Sequence, residues 1–311
     1  MDEIRFLDAS LLEDINVLAE LNHWLLVMDR PNGWHYDLDH IWILQELKKA
    51  NILPGSTILD AGAGQGIMQF LLASRGYNVI SLDFSSRLPP KRSKGIFKII
   101  GEGNSEINYK HPYMNFIKYN SNKVSNLMSK FKFEKILKII EIPFRVYRSA
   151  RSYSEFMLER FFKKHDHYGT IRFLRAPFHD VPLESEIAHA VISVSAIEHA
   201  DINLFKGNIE SLFRLVKPDG KMLITTSATA KEENEYDDKV SGFCFSKKFL
   251  SQSFPQCKLN FDYDSCLTSL FASQTFFDRI DSYYYLDKNS PFYKKNIVKF
   301  PYLPIGIKLN K

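Results

Sequence analysis

The stretch TILDAGAGQGIMQFLLASRGYNVISLDFS, Thr57 to Ser85, decides the fold of this 311-residue chain. Two apolar runs of strand type, Thr57 to Leu59 and Asn78 to Leu82, flank a segment whose Ile67, Phe70, Leu71 and Ser74 recur at helical spacing and stop at Gly76. The order is strand, glycine turn, helix, strand. Such a parallel unit leaves N–H groups free at the helix start and opens a crevice above the strand ends, which suits a nucleotide-type ligand. A dinucleotide fingerprint requires G-x-G-x-x-G, whereas Gly62, Gly64 and Gly66 read G-x-G-x-G and position 67 is Ile, so nicotinamide is disfavoured. No Lys-Ser/Thr pair follows the loop to hold a β- or γ-phosphate, which argues against ATP.

Asp83 closes the second strand, where a carboxylate can accept charge-strengthened hydrogen bonds from ribose hydroxyls. Asp60, Gly62, Gly64, Gly66 and Asp83 together resemble the first motif and second-strand acid of the class I S-adenosylmethionine-dependent methyltransferases, of the type 11-like kind. The run HAVISVSAIEHAD, His189 to Asp201, is similar to that family's fourth-strand motif. After it, Asp201 can cap a helix with Ile202, Phe205, Ile209, Leu212, Phe213 and Val216 on one stripe, and KPDG turns the chain into KMLITTSAT. A short helix near Phe245 to Phe254, a strand at Lys258 to Tyr263 and a last strand PIGIKLNK give the family's closing antiparallel hairpin. The resemblance covers roughly Asn51 to Ser85 and Thr170 to Lys311.

The resemblance implies an α/β fold: a Rossmann-like, mostly parallel seven-stranded sheet with helices on both faces, an N-terminal helical cap and a large helical insertion between the second and third strands. The divisions expected are 1–50 for the cap, 51–86 and 170–311 for the cofactor core, and 87–169 for the insertion. The implied cofactor is S-adenosyl-L-methionine, held by Asp60, Ala61, Gly62, Gly64, Gly66, Asp83, Phe84 and Ser195. Adenine recognition departs from the pattern, because Ala176 stands where the family has an acidic residue. Asp180 is a displaced candidate, and Phe178 could lie on the adenine face while backbone groups supply the hydrogen bonds. The family's Phe-Asp pair before the fourth strand is Ala188-His189 here.

Methyl transfer from a sulfonium requires in-line alignment and exclusion of water, and a hydroxyl acceptor also benefits from a base. His199, with Glu198 beside it, is the candidate, since imidazole titrates near neutrality. The competing reading is a histidine held by loop hydrogen bonds with no chemical role. Ahead of the glycine loop, Trp34, His35, Tyr36 and His40 either form part of an acceptor pocket or pack as an aromatic cap, leading into a helix with Ile41, Leu44 and Leu47 on one face. Leads of this kind loosely resemble methyltransferases of bacterial glycan pathways. A sugar or lipid-linked glycan hydroxyl, as in polysaccharide biosynthesis, or another small molecule is therefore the expected acceptor. An RNA methyltransferase and a non-catalytic S-adenosylmethionine-binding regulator are the alternatives.

Composition narrows the rest. With 45% apolar residues the chain can bury a full core. MDEIRFLDAS lacks a basic region followed by an apolar run, and no stretch approaches the roughly 18 apolar residues of a membrane span, so a cytoplasmic protein is expected. Cys244, Cys257 and Cys266 lack C-x-x-C spacing, so neither disulfides nor a metal site is signalled. KEENEYDDK, Lys231 to Lys239, reads as a solvated loop. The formal charge of +5 hides an asymmetry: Arg87 to Arg172 holds 19 Lys and Arg against 7 Asp and Glu, and the rest of the chain 22 against 29. Within that insertion Val124, Leu127, Met128, Phe131, Phe133, Ile136, Leu137 and Ile140 predict an amphipathic helix ended by Pro143, and a second helix is predicted from a capping box at Ser152. The pair could be a lid or homodimer arm, a peripheral contact with the inner membrane face through 123–148, or, less favoured for its apolar content, a nucleic-acid contact.

Overall fold

The strands that carry the glycine loop are buried along nearly their whole length, which requires cover on both sheet faces. The computed structural model describes residues 1–30, 32–33, 35–101, 134–237, 242–279 and 302–311. Its main sheet comprises β1 (Glu3–Phe6), β2 (Thr57–Ala61), β3 (Asn78–Asp83), β4 (Lys98–Gly101), β5 (Thr170–Arg175), β6 (Ala188–Val194), β7 (Val216–Ala228), β10 (Lys258–Asn260) and β11 (Leu303–Asn310). A small antiparallel pair, β8 (Glu235–Asp237) and β9 (Gly242–Cys244), stands apart. The main order is β10-β1-β11-β7-β6-β2-β3-β5-β4, and β11 alone runs against the others among the described residues. The order reverses between β2 and β6, which places the crevice above their C-terminal ends.

The α/β fold, with its mostly parallel sheet flanked by helices, is as expected, but the described sheet has nine strands instead of seven. β1 inserts between β10 and β11, parallel to the first and antiparallel to the second, so the expected closing hairpin is split. β4 extends the other edge from inside the segment expected to be wholly helical. Both added strands have only four residues, too few for a period of two to stand out. The acidic patch is likewise not all loop, since Glu235–Asp237 pairs with Gly242–Cys244.

Helices α1 (Ile15–Met28), α2 (Tyr36–Lys49) and α3 (Met68–Ser74) follow the N-terminal strand and the glycine loop. α2 packs on β6, β7 and β11. It is buried on almost every side, beyond the single face its sequence predicts, and Trp42 is fully enclosed. Gly306 of β11 permits that approach, because a Cβ there would stand 2.7 Å from the Trp42 ring. The short α4 (Lys91–Lys94) carries Arg92, whose Nη1 donates to the C-terminal carbonyls of α1 at Leu26 (3.2 Å) and Val27 (3.0 Å), where the helix dipole favours a cation.

α5 runs unbroken from Glu134 to Phe162, correcting the expectation that Pro143 ends one helix and Ser152 begins another. Ser152 does not cap: it is buried, donates to Leu26 O (2.7 Å) and accepts from Arg92 (2.7 Å). Glu155, the other member of the predicted box, faces His23 at 3.3 Å. Contacts with α1 have absorbed a pattern that looked local. The expected apolar face from Val124 to Ile140, and Trp34, lie outside the residues whose side chains are described. The chain continues through α6 (Phe205–Arg214), α7 (Lys247–Ser253), α8 (Tyr263–Ala272) and α9 (Gln274–Arg279). Among the described residues no helix is long and apolar enough to cross a membrane.

Candidate active site

Two cavities meet at the glycine loop. The larger, about 490 Å³, is lined by Gly62, Gly64, Asp83, Phe84, Ser85, Phe178, His179, Ser195, His199, Asp201, Leu204 and Asn208, among others. The smaller, about 190 Å³, is lined by Arg30, Asn32, Tyr36, His40, Asp60, Gln65 and Met68, and shares Gly62, Gly64 and Ser195 with the first. The larger lies in the range of small-molecule sites.

Gly62 (φ +75°) and Gly64 (φ +48°) occupy the left-handed region. A Cβ on Gly62 would lie 2.4 Å from Ala196 Cβ and 3.0 Å from the Phe178 ring, so only glycine lets the loop pack this closely against the fourth-strand turn and Phe178. Arg87 braces the loop from beneath. Its Nη1 donates to Gly64 O and Ser81 Oγ, both at 2.8 Å, its Nη2 to Ser81 O at 2.6 Å, and its guanidinium stacks over Phe173. This residue was not legible as part of the site, because in sequence it is merely the first cation of a basic insertion.

Asp83 accepts from Gly64 N–H (2.8 Å) through Oδ2 and from Ser85 N–H (2.8 Å) and Oγ through Oδ1. A carboxylate offers about four acceptor positions, so one remains on Oδ2 and a second is freed if Ser85 Oγ rotates away. That matches the needs of a ribose diol. Asp60 is 2% exposed, and burial lifts its pKa to about 7 against the opposing pull of Arg87, with Asp83 adding to the rise. A buried carboxylate in this state is stabilised by an incoming cation, and S-adenosylmethionine carries both a sulfonium and an ammonium. The residues present thus fit the group the glycine motif implies.

The expected residues divide. Gly62, Gly64, Asp83, Phe84, Phe178, Ser195 and His199 line the larger cavity, and Asp60 and Gly66 the smaller. Ala61 is buried within β2, and Asp180 is exposed, with His179 lining the cavity beside Phe178 instead. Glu198 and His199 part company within one turn of 3₁₀ helix. Glu198 turns inward and accepts from Thr226 Oγ1 (3.0 Å), its pKa raised by burial, while His199 is exposed toward the cavity and lies against Gly242. His189 accepts from the Thr57 N–H (3.0 Å), tying β6 to the start of β2.

The aromatic lead also divides. Tyr36 and His40 reach the smaller cavity. His35 belongs instead to a buried polar cluster: its Nδ1 is 2.8 Å from Asp39 Oδ2, its Nε2 3.3 Å from Tyr302 Oη, and Ser195 Oγ donates to the same Asp39 oxygen at 3.2 Å. Ser195 holds φ at +43°, a strained conformation for a residue with a side chain. Arg30, Asn32, Asp39, Gln65 and Leu204 joined the site without any spacing signal. The described residues contain no cluster of His, Cys, Asp and Glu suited to a metal ion.

The family model described as "Methyltransferase domain" matches residues 34–255. No curated protein matches. Among solved structures, the chain is similar to 1,6-didemethyltoxoflavin-N1-methyltransferase of Burkholderia thailandensis, with bound S-adenosylhomocysteine, at 11% identity and TM-score 0.42, covering 97% of this chain and 84% of that one. It is similar to the [4+2]-cyclase SpnF at 11% identity and TM-score 0.48, covering 100% and 99%. It also matches a protein of Anabaena variabilis at 15% identity and TM-score 0.31, covering 61% of this chain but only 46% of that one. The family match spans the glycine loop, Asp83 and the fourth-strand turn together, and the chain belongs to the methyltransferase-domain family as an S-adenosylmethionine-dependent methyltransferase.

Proposed function

We propose that the enzyme methylates a hydroxyl of a small molecule, a sugar or a lipid-linked glycan being the favoured class. The observation that carries this reading is the smaller cavity: about 190 Å³, roofed by the N-terminal segment, joined to the larger at Gly62, Gly64 and Ser195, and lined by Arg30, Asn32, Tyr36, His40 and Gln65. Side chains of this kind satisfy hydroxyls, and beside Asp60, which faces the cofactor, they leave room for the reacting group of an acceptor.

When bound, S-adenosylmethionine supplies a methyl group activated by its sulfonium. Asp83 would hold the ribose, Phe84, Phe178 and Leu204 would cover the adenine with apolar surface, and Asp60 would face positive charge. The protein then aligns the acceptor and keeps water out. His199, exposed in the larger cavity, is the candidate to take the hydroxyl proton; Glu198 holds the turn through Thr226 and does not reach the cavity. A specific observation favours a second reading. His40 is 2% exposed, its Nδ1 has no hydrogen-bond partner among the described residues, and burial lowers its pKa despite the nearby carboxylates of Asp39 and Asp37, which keeps it neutral and able to accept a proton.

Incubating the enzyme with methyl-labelled S-adenosylmethionine and fractionated cell extract tests the acceptor class. Label in a carbohydrate, lipid or small-molecule fraction supports the proposal, and label confined to RNA or protein refutes it. With that acceptor in hand, Ala at whichever histidine is the base should lower turnover about 10²–10⁴-fold while cofactor affinity persists.

A further inference from the structure

The outer surface of α5 does nothing for the site described above. Its inner side is fixed to α1 by Ser152 and Glu159, with Phe156 beneath Arg92 of α4, all three buried. Its outer side leaves Val146, Tyr147, Tyr153, Leu158, Phe161 and Phe162 in solvent, with Tyr147 63%, Phe161 61% and Phe162 81% exposed. Isolated exposed apolar residues are ordinary, but six large ones on a single helix form a surface that calls for a partner.

The charges on this helix are sorted. Between residues 146 and 164 both carboxylates turn toward the protein: Glu159 is fully buried, with its Oε2 2.7 Å from His23 Nε2, and Glu155 faces the same histidine at 3.3 Å. Apart from Lys163, which turns back to Glu159 at 2.8 Å, the cations go the other way: Arg151, Arg160 and Lys164 are exposed, and Arg160 lies over the Phe161 ring. No exposed carboxylate offsets them between those positions. The surface offered is therefore aromatic, aliphatic and positive at once.

We infer that the outer face of α5 docks on an anionic lipid bilayer. Apolar side chains enter the headgroup boundary while arginine and lysine meet lipid phosphates and carboxylates, the two attractions acting together. The contact inferred is a peripheral one, made from the surface of a helix. Val146 and Leu158 favour lipid over nucleic acid, since aliphatic side chains cannot stack on bases. The inference goes beyond the proposed chemistry and stands whether or not the acceptor is itself lipid-borne.

Flotation of the 311-residue chain with phosphatidylserine-containing vesicles, beside phosphatidylcholine vesicles, tests it. Recovery is expected with the anionic vesicles only and should fall as salt is raised. The variant Arg151→Glu/Lys164→Glu should lower partitioning by about fivefold or more for each cation lost, and adding Leu158→Ser and Phe162→Ser should abolish it. Calorimetric titration with S-adenosylmethionine confirms that each variant is folded, and separates failure of this inference from failure of the proposed function. If the fourfold variant loses the cofactor, the charge-only variant decides. Absence of flotation at low salt, equal flotation of wild type and variants, an RNA gel shift in place of vesicle binding, or a dimer dispersed by the same substitutions would each overturn the inference.

Discussion

Two buried carboxylates, Asp60 at the glycine loop and Glu159 on α5, have opposite environments. Glu159 is ringed by His23, Lys163 (2.8 Å), Tyr168 (Oη donating at 2.7 Å) and His165 (3.5 Å), and despite burial its pKa is held down at about 2. Asp60 has only the more distant pull of Arg87, and burial lifts it to about 7. The first is satisfied by the protein and anchors the helix. The second is satisfied by a ligand and anchors the cofactor.

The comparison can be broken most forcefully at Glu159. Replacing it with Ala leaves His23, Lys163 and Tyr168 facing a void and should cost about 3–5 kcal/mol of unfolding free energy, toward the lower figure because Lys163 is half exposed. Urea denaturation measures this. Its folded pKa lies below the ordinary value, so its contribution is present above about pH 4.5 and should disappear as pH falls toward 2 in wild type but not in the variant.

Asp60 should behave with the opposite sign. Its folded pKa is raised, so folding stability falls as pH rises from about 4 to 7, and Asp60→Asn should remove that fall. Cofactor binding favours the ionised form, so Kd should improve up to about tenfold per unit from pH 5 to 7 and level off above. Calorimetry across pH checks it, and a flat profile in wild type would remove the cation-binding role.

Smaller effects sharpen the picture around the loop. Asp83→Asn removes the charge and one of the two acceptor oxygens, so that its amide nitrogen faces either the Gly64 or the Ser85 N–H, and should weaken cofactor binding by at least about 1.5 kcal/mol, or roughly tenfold. Ser195→Gly relieves the positive φ but loses the bond to Asp39, so thermal unfolding should shift by less than about 1 kcal/mol equivalent in either direction.

The sequence by itself determined the crevice. Thr57 to Ser85 is a contiguous unit in which the period of each element, the glycine φ requirements and the position of Asp83 are set by neighbours in the chain, so local pattern and final structure agree. It also determined the fourth-strand turn with Ser195 and His199, for the same reason. Tertiary structure alone decided the rest. Ser152 and Glu155 spell a helix start, yet α1 supplied partners for them at Leu26 and His23 in place of a cap, and α5 ran on through Pro143. β1 and β4 became strands because existing sheet edges offered hydrogen-bond partners that four residues could not specify on their own. Glu198 and His199, adjacent in sequence, were separated into core and cavity by the twist of a single turn. Arg30, His40 and Asp60 come from distant positions, and only packing of the N-terminal segment on β6, beside β2, brings them to one cavity, because burial and proximity are properties of the assembled fold rather than of spacing along the chain.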